Sequence, residues 1–186
     1  MAHVVNLGAA EALKRLKDGN QRYSSSCEYH GNISLNRRVE LADNGQHPFA
    51  VVVSCSDSRV IPEIIFDAGL GELFVIRSAG NVVDSCTLGS IEYAVGHMGV
   101  NLVVVLGHTN CGAIAEAING FHEGHSIEII NDIIDGIGAE SDPIKASCLN
   151  IRNSARLIKD DLGERLDMKV VGALYDIRTG KVEFDI

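Results

Sequence analysis

The sequence predicts a single α/β domain over residues 1–186, with a mostly parallel four-stranded sheet, flanking helices and a C-terminal edge strand. Three observations carry this reading. Two β-branched runs, Val51-Val52-Val53 and Leu102-Val103-Val104-Val105-Leu106, each stop at a polar or glycine-bearing cluster, the pattern of buried parallel strands. Strand-like and helix-like stretches alternate along the chain, which is the βαβ signature. The length of 186 residues, with no linker, repeat or low-complexity run, fits one domain with a sizeable core.

Taken in order, residues 7–23 set Leu13 and Leu16 among Ala, Lys and Arg, a modestly amphipathic helix whose stripe needs another surface to cover it. A polar loop follows, then a short helix from Leu35 to Asp43. Asn44-Gly45-Gln46-His47-Pro48 is a turn leading into the first strand. Pro62 suits the first position of a short helix. Glu72 to Arg77 reads as the second strand and Ser78-Ala79-Gly80-Asn81 as the loop beyond it. Asp84 is placed to cap a helix carrying Leu88, Ile91, Val95 and Met98 at helical spacing, closed by Gly99. After the third strand, Gly112 opens a helix that ends near Gly120. Residues 126–137 put Ile127, Ile130, Ile134 and Ile137 on one face. Asp142-Pro143 starts a longer helix with Ile144, Cys148, Ile151, Ala155, Ile158 and Leu162 in its stripe. Val170 to Tyr175 is the fourth strand, and Lys181 to Phe184 alternates like an edge strand after a Thr179-Gly180 turn.

The formal net charge of −9 argues against nucleic acid or an anionic membrane surface as the main partner. No apolar run approaches the roughly 18 residues of a membrane span, and the first residues lack the basic-then-apolar plan of a secretory signal. The expectation is a cytoplasmic protein. Five cysteines without a C-x-x-C are poor material for a disulfide framework and better material for a metal site or catalysis.

Two clusters concentrate the chemistry: Cys55-Ser56-Asp57-Ser58-Arg59 after the first strand and Gly107-His108-Thr109-Asn110-Cys111-Gly112 after the third. Loops at the carboxyl ends of neighbouring parallel strands converge on one crevice, the place where open α/β sheets bind ligands. That crevice would gather Cys55, His108, Cys111, Asp57 and Arg59. Two thiols and an imidazole are ligand types that zinc takes, and the helix opening at Gly112 turns its positive end towards the Cys111 sulfur. Cys27, Cys86 and Cys148 read as ordinary helix or loop thiols.

These motifs carry a resemblance. Cys-Ser-Asp-Ser-Arg-Val with Pro62-Glu63, followed by Gly-His-Thr-x-Cys-Gly, resembles the β-class carbonic anhydrase family. Supporting matches run from Leu13–Asn20 through Gly71–Arg77 and Ile91–Val95 to Gly172–Asp176. The resemblance implies zinc held by Cys55, His108 and Cys111, and a carboxylate–guanidinium dyad of Asp57 and Arg59. It implies Gln46 as a hydrogen-bond donor to the substrate, and Phe74 and Tyr93 as pocket walls contributed across a dimer interface; the Gly112 N–H is a second candidate donor, in an oxyanion-type arrangement. The implied reaction is reversible hydration of carbon dioxide to bicarbonate, with a water ionised on zinc as nucleophile. Two thiolates donate more charge than histidines, so activity is expected to rise into alkaline pH. The implied assembly is a homodimer or tetramer in which the N-terminal helix packs on a partner subunit.

Some bacterial members carry a regulatory bicarbonate pocket built from Trp, Arg and Tyr. This sequence has no Trp and has Val52 at the matching position, so that pocket is not expected. Residues 120–148 match the family poorly. Two alternatives stand beside the leading reading: hydrolysis of carbonyl sulfide or carbon disulfide at the same zinc, and a non-catalytic zinc protein in which Asp57 closes the coordination shell.

Overall fold

The structure is a computed structural model that describes residues 7–26, 28–120, 124–163 and 166–186. Cys27 therefore lies outside the described residues. The elements run α1 (Ala9–Ser25), α2 (Leu35–Asn44), β1 (Ala50–Cys55), α3 (Pro62–Ile65), β2 (Leu73–Ser78), a 3-10 turn (Ala79–Asn81) and α4 (Ser85–Met98). They continue with β3 (Leu102–His108), α5 (Gly112–Asn119), α6 (Ser126–Ile137), α7 (Pro143–Leu162), β4 (Lys169–Tyr175) and β5 (Val182–Phe184).

The five strands form one sheet in the order β2-β1-β3-β4-β5. The first four are parallel, and β5 pairs antiparallel with β4, Leu174 opposite Glu183. This confirms the four-stranded parallel sheet with a C-terminal edge strand. From β1 the chain turns one way to β2 and then, through α4, back to β3 on the other side. That reversal leaves the carboxyl ends of β1 and β3 side by side at the topological switch point.

Local chemistry explains the element ends. The Asp84 carboxylate accepts from Thr87 N at 2.7 Å and caps α4, and Gly99 closes that helix in the left-handed conformation at φ 71. Asp142 accepts from the backbone of Ile144 and Lys145 at the start of α7, beside Pro143. Every residue of β1 and β3 is buried, as their unbroken valine-rich runs require of strands covered on both faces.

Alternation along the strands splits the core. Val52, Val104, Leu106 and Ala173 face α1 and α3, whereas Val51, Val53, Val103 and Val105 face α4 and α7. Ala12, Leu13 and Leu16 are buried in the first of these cores, against this protomer's own sheet. Burying such a leucine is worth roughly 1.5–3 kcal/mol, so the stripe needs no second chain to cover it. No helix among the described residues is long and apolar enough to cross a membrane.

Two helical faces differ from the sequence reading. In α6 the buried isoleucines are Ile130, Ile133 and Ile137, and Ile127 is exposed. In α7 Ile144 is exposed, and the inward face includes Ser147, Asn150 and Ser154 beside Ile151, Ala155, Ile158 and Leu162. Helix α7 packs against a polar backbone loop as well as the sheet, which a hydrophobic stripe does not reveal.

Candidate metal centre

Cys55 is the last residue of β1 and His108 the last of β3. Because Ser54 is in register with Leu106, the two strands deliver these side chains to the same end of the sheet. Three residues later Cys111 caps α5, reached through Asn110 in the left-handed conformation at φ 55. One thiol sulfur from each cysteine and one ring nitrogen from His108 lie within 4.8 Å of one another, and all three residues are buried. The sequence-derived ligand set is thus one physical cluster.

The histidine shows what the cluster is built to hold. His108 Nδ1 lies 2.9 Å from the Thr109 carbonyl, which can only accept, so Nδ1 carries the proton and Nε2 presents a lone pair. The side chain has no exposure, and Nε2 has no hydrogen-bond partner. An orphaned buried acceptor costs on the order of 1–3 kcal/mol. A cation between Nε2 and two thiolates removes that penalty, and a neutral imidazole with its other nitrogen fixed by a carbonyl is the usual form of a metal-binding histidine. The residues present fit a zinc ion.

The sulfurs are prepared for ionisation. Cys55 is held well below the ordinary thiol range, chiefly by a hydrogen bond from Cys111 and against the opposing effect of burial. The N–H groups of Asp57 and Gly80, each 3.4 Å from the Cys55 sulfur, add to this. Cys111 is pushed up, because it keeps the shared proton while Cys55 ionises and because it is buried. A metal displaces that proton and makes both sulfurs thiolates.

Beside the cluster, Asp57 and Arg59 form the expected dyad. Arg59 donates from Nε to Oδ1 at 2.9 Å and from Nη2 to Oδ2 at 2.6 Å, and its backbone N–H donates to Oδ1 at 2.9 Å. These bonds hold the Asp57 carboxyl far below the usual carboxylate range in spite of partial burial. Arg59 also donates to the Asn110 carbonyl at 3.1 Å, tying one ligand loop to the other. Asp57 Oδ2 stands 3.9 Å from His108 Nε2, close enough to reach an ion there but facing the guanidinium instead. Arg77, on β2, donates to the carbonyls of Cys55 at 3.2 Å and Asp57 at 2.8 Å. Neither Arg77 in this role nor the Gly80 N–H is singled out by the sequence motifs, although both flank the Ser78–Asn81 loop at the same sheet end.

Gly112 opens α5 directly after Cys111, next to the cluster in the chain. The other substrate residues do not join it within one protomer. Gln46 precedes β1 and is exposed at the end opposite Cys55. Phe74 is paired with Val51 at the start of β1, whereas Ser78 is the residue beside Cys55. At about 3.3 Å per residue, four strand positions put Phe74 roughly 13 Å along the sheet from the cluster. Tyr93, on α4 and half exposed, packs beside Phe74 with ring centroids 6.4 Å apart. Gln46 and Gly112 of one and the same chain are thus far from each other. They lie at opposite ends of the same strand layer.

Fold and cluster together define a doubly wound α/β protein with a Cys-His-Cys metal-ligand set at its topological switch point. A sequence profile described as carbonic anhydrase matches residues 50–142. Carbonic anhydrase 2 of Mycobacterium tuberculosis strain H37Rv is 50% identical over 119 residues, which cover 64% of this chain and 57% of that protein. The carbonic anhydrase of Mycolicibacterium smegmatis is 44% identical over 133 residues, covering 71% and 64%. The matched segments thus span less than two thirds of these relatives' length. Among solved structures, a Coccomyxa β-carbonic anhydrase in complex with acetazolamide superposes with a TM-score of 0.70 at 25% identity, covering 92% of this chain and 85% of that one. The chain belongs to the carbonic anhydrase family, and its structural likeness is to the β class.

Proposed function

We propose that the protein is a zinc-dependent carbonic anhydrase interconverting carbon dioxide and bicarbonate. The observation that carries the proposal is the buried, unpartnered His108 Nε2 facing two thiols across less than 4.8 Å, with Asp57 drawn aside by Arg59. Three protein ligands of these types suit a tetrahedral zinc with one position free. A zinc ion held there acidifies a bound water, to a pKa of about 7 in the three-histidine carbonic anhydrases, and so supplies a nucleophile for carbon dioxide.

The chain's own residues do the rest. The Thr109 carbonyl fixes the His108 tautomer and ring plane. Arg59 keeps Asp57 ionised and turned away from the metal position, where its carboxylate can accept a hydrogen bond from the nucleophile. The arrangement supports an open coordination position over the closed site in which Asp57 is a fourth ligand. The Gly112 N–H is aimed outward from the α5 terminus and suits a developing anionic oxygen.

The distance of Gln46, Phe74 and Tyr93 from the cluster supports assembly of the complete site from two subunits. Strand β2 is the sheet edge, half-exposed along most of its length, and carries Phe74. A partner laid antiparallel along that edge would bring its Gln46, Phe74 and Tyr93 ends to this protomer's cluster, in a homodimer or a tetramer of such dimers. Four free cysteines among the described residues suit the reducing cytoplasm. The direct test is stopped-flow carbon dioxide hydration with metal analysis, before chelation, after it and after zinc is returned. Activity that follows zinc content supports the proposal; zinc-replete protein inert towards carbon dioxide but active on carbonyl sulfide would replace it.

A further inference from the structure

The inward face of α7 carries three polar residues, Ser147, Asn150 and Ser154, each no more than 3% exposed. Their spacing of three and four residues makes one stripe down the helix, on the side turned to the Ala79–Asn81 turn. Asn150 Nδ2 donates to the Gly80 carbonyl at 2.8 Å, and Ser154 Oγ donates to the Asn81 carbonyl at 3.2 Å. The Gly80 N–H is the group that donates to the Cys55 sulfur.

That turn does not hold its shape unaided. Gly80 and Asn81 are successive left-handed residues, at φ 64 and φ 48, and the second of them is a strained conformation for a residue with a side chain. A side chain at Gly80 would be strained at this φ, and its Cβ would lie 2.6 Å from Ile133 Cδ1. The turn is clamped from outside, by two side-chain donors on a helix some seventy residues later in the chain.

We propose that Asn150, seconded by Ser154, is a positioning residue of the metal centre: it locks the Gly80 segment so that the Gly80 N–H stays aimed at the Cys55 thiolate. Two N–H groups reach that sulfur. The one from Asp57 comes with the turn after β1 and follows Cys55 wherever it goes. The one from Gly80 comes from the separate turn after β2, which is bonded to α7. Each N–H draws electron density from the sulfur, so the metal keeps more of its positive charge than two bare thiolates would leave it. Long helix α7, which contributes no ligand, thereby sets the electron donation of the first one.

The inference rests on the metal reading above, and cobalt(II) distinguishes the two. Cobalt bound by thiolates shows a sulfur-to-metal charge-transfer absorption whose energy falls as the sulfurs become richer in electrons. Asn150→Ala and Ser154→Ala, each loaded with cobalt, are compared with the unaltered protein and with Ile158→Val, a substitution that trims the same helix away from the turn. The expected result is a shift of the absorption to lower energy and cobalt binding weakened on the order of tenfold in Asn150→Ala. A smaller shift in the same direction is expected in Ser154→Ala, a return to normal in Ser154→Thr, and no shift in Ile158→Val. Should Asn150→Ala not fold, the Ser154 pair gives the same readout. An absorption unmoved in the Asn150 and Ser154 variants, or moved equally by Ile158→Val, overturns the positioning role and leaves the metal site standing. No charge-transfer absorption in the unaltered protein overturns the metal reading itself.

Discussion

Replacing Gly107 with alanine sets a methyl group against Ile151, where β3 packs on α7. A Cβ at this position would lie 2.6 Å from Ile151 Cγ1 and 2.7 Å from Ile151 Cδ1, with Asn81 Oδ1 at 3.4 Å. Both Ile151 atoms belong to a side chain without any exposure, so it has no room to swing aside. Overpacking of this kind costs about 1–3 kcal/mol. Ile151→Ala alone removes the obstruction but leaves a cavity, at about 2–5 kcal/mol. In the double variant the new methyl group fills part of that cavity, and the two losses are expected to fall short of their sum by roughly 0.5–3 kcal/mol. The assay is urea denaturation of zinc-loaded protein at the four corners of the cycle, with zinc content measured alongside. At about 2–4 °C per kcal/mol, Gly107→Ala alone lowers the melting temperature by roughly 2–12 °C. Gly107 precedes His108 and Ile151 follows Asn150, so Gly107→Ala is also expected to reduce zinc retention. Strict additivity, or a Gly107→Ala protein as stable as the parent, would refute the close-approach argument.

Arg59→Ala removes both side-chain bonds that hold Asp57 away from the metal position, and the freed carboxylate is expected to become a fourth ligand. Hydration activity then falls by on the order of ten- to a hundredfold, and a crystal structure of this zinc-loaded variant that still shows a solvent ligand would count against it. A site shared between subunits is tested by co-expressing Gln46→Ala with Cys111→Ser. Each variant alone is expected to be impaired, while their hybrid regains activity because one of its two sites then has every residue; hybrids no better than the parents argue for sites complete within one chain. Far from the centre, Asp67 is buried and its carboxyl lies below the usual range. Burial alone would push it up, but bonds from Arg22 and from His30 outweigh that. A depressed folded value means that Asp67 stabilises the fold fully above its unfolded pKa of about 3.8 and ceases to do so as pH falls through the folded value. Asp67→Asn is therefore expected to be less stable at neutral pH and to lose less stability than the parent below about pH 4, read by denaturation across pH; parallel profiles would remove Asp67 from the account.

Local signals in the sequence reached far into this structure. Valine-rich runs, the Asp84 and Asp142 caps and Gly99 defined elements whose ends agree with the structure to within a residue or two, because each depends on chemistry close in sequence. The Cys55, His108 and Cys111 cluster was legible for a related reason: parallel neighbouring strands must release their carboxyl-end residues on one side. What escaped was the part written in non-local polar contacts. Ser147, Asn150 and Ser154 do not register in the hydrophobic stripe of α7, although all three are buried and the last two bond the backbone of the Ala79–Asn81 turn. The turn of α6 that favours Ile133 over Ile134 is set by packing against α5 and α7, which the repeat of isoleucines alone does not determine. For α1, an amphipathic stripe signalled the need for a covering surface but not whose surface it was. The separation of Gln46 from the cluster was available in principle, since a strand runs in one direction and nine residues along it lead to the opposite end.

Cys55, His108 and Cys111 are expected to bind one metal ion and to leave a coordination position for solvent. A crystal structure of the zinc-loaded protein, with data collected across the zinc absorption edge, tests this most directly. The expected result is one anomalous peak at about 2.3 Å from both sulfurs and about 2.0–2.1 Å from His108 Nε2, with a non-protein fourth ligand and Asp57 still on Arg59. An empty cluster in zinc-saturated crystals, or Asp57 in the fourth position at every pH examined, would contradict it.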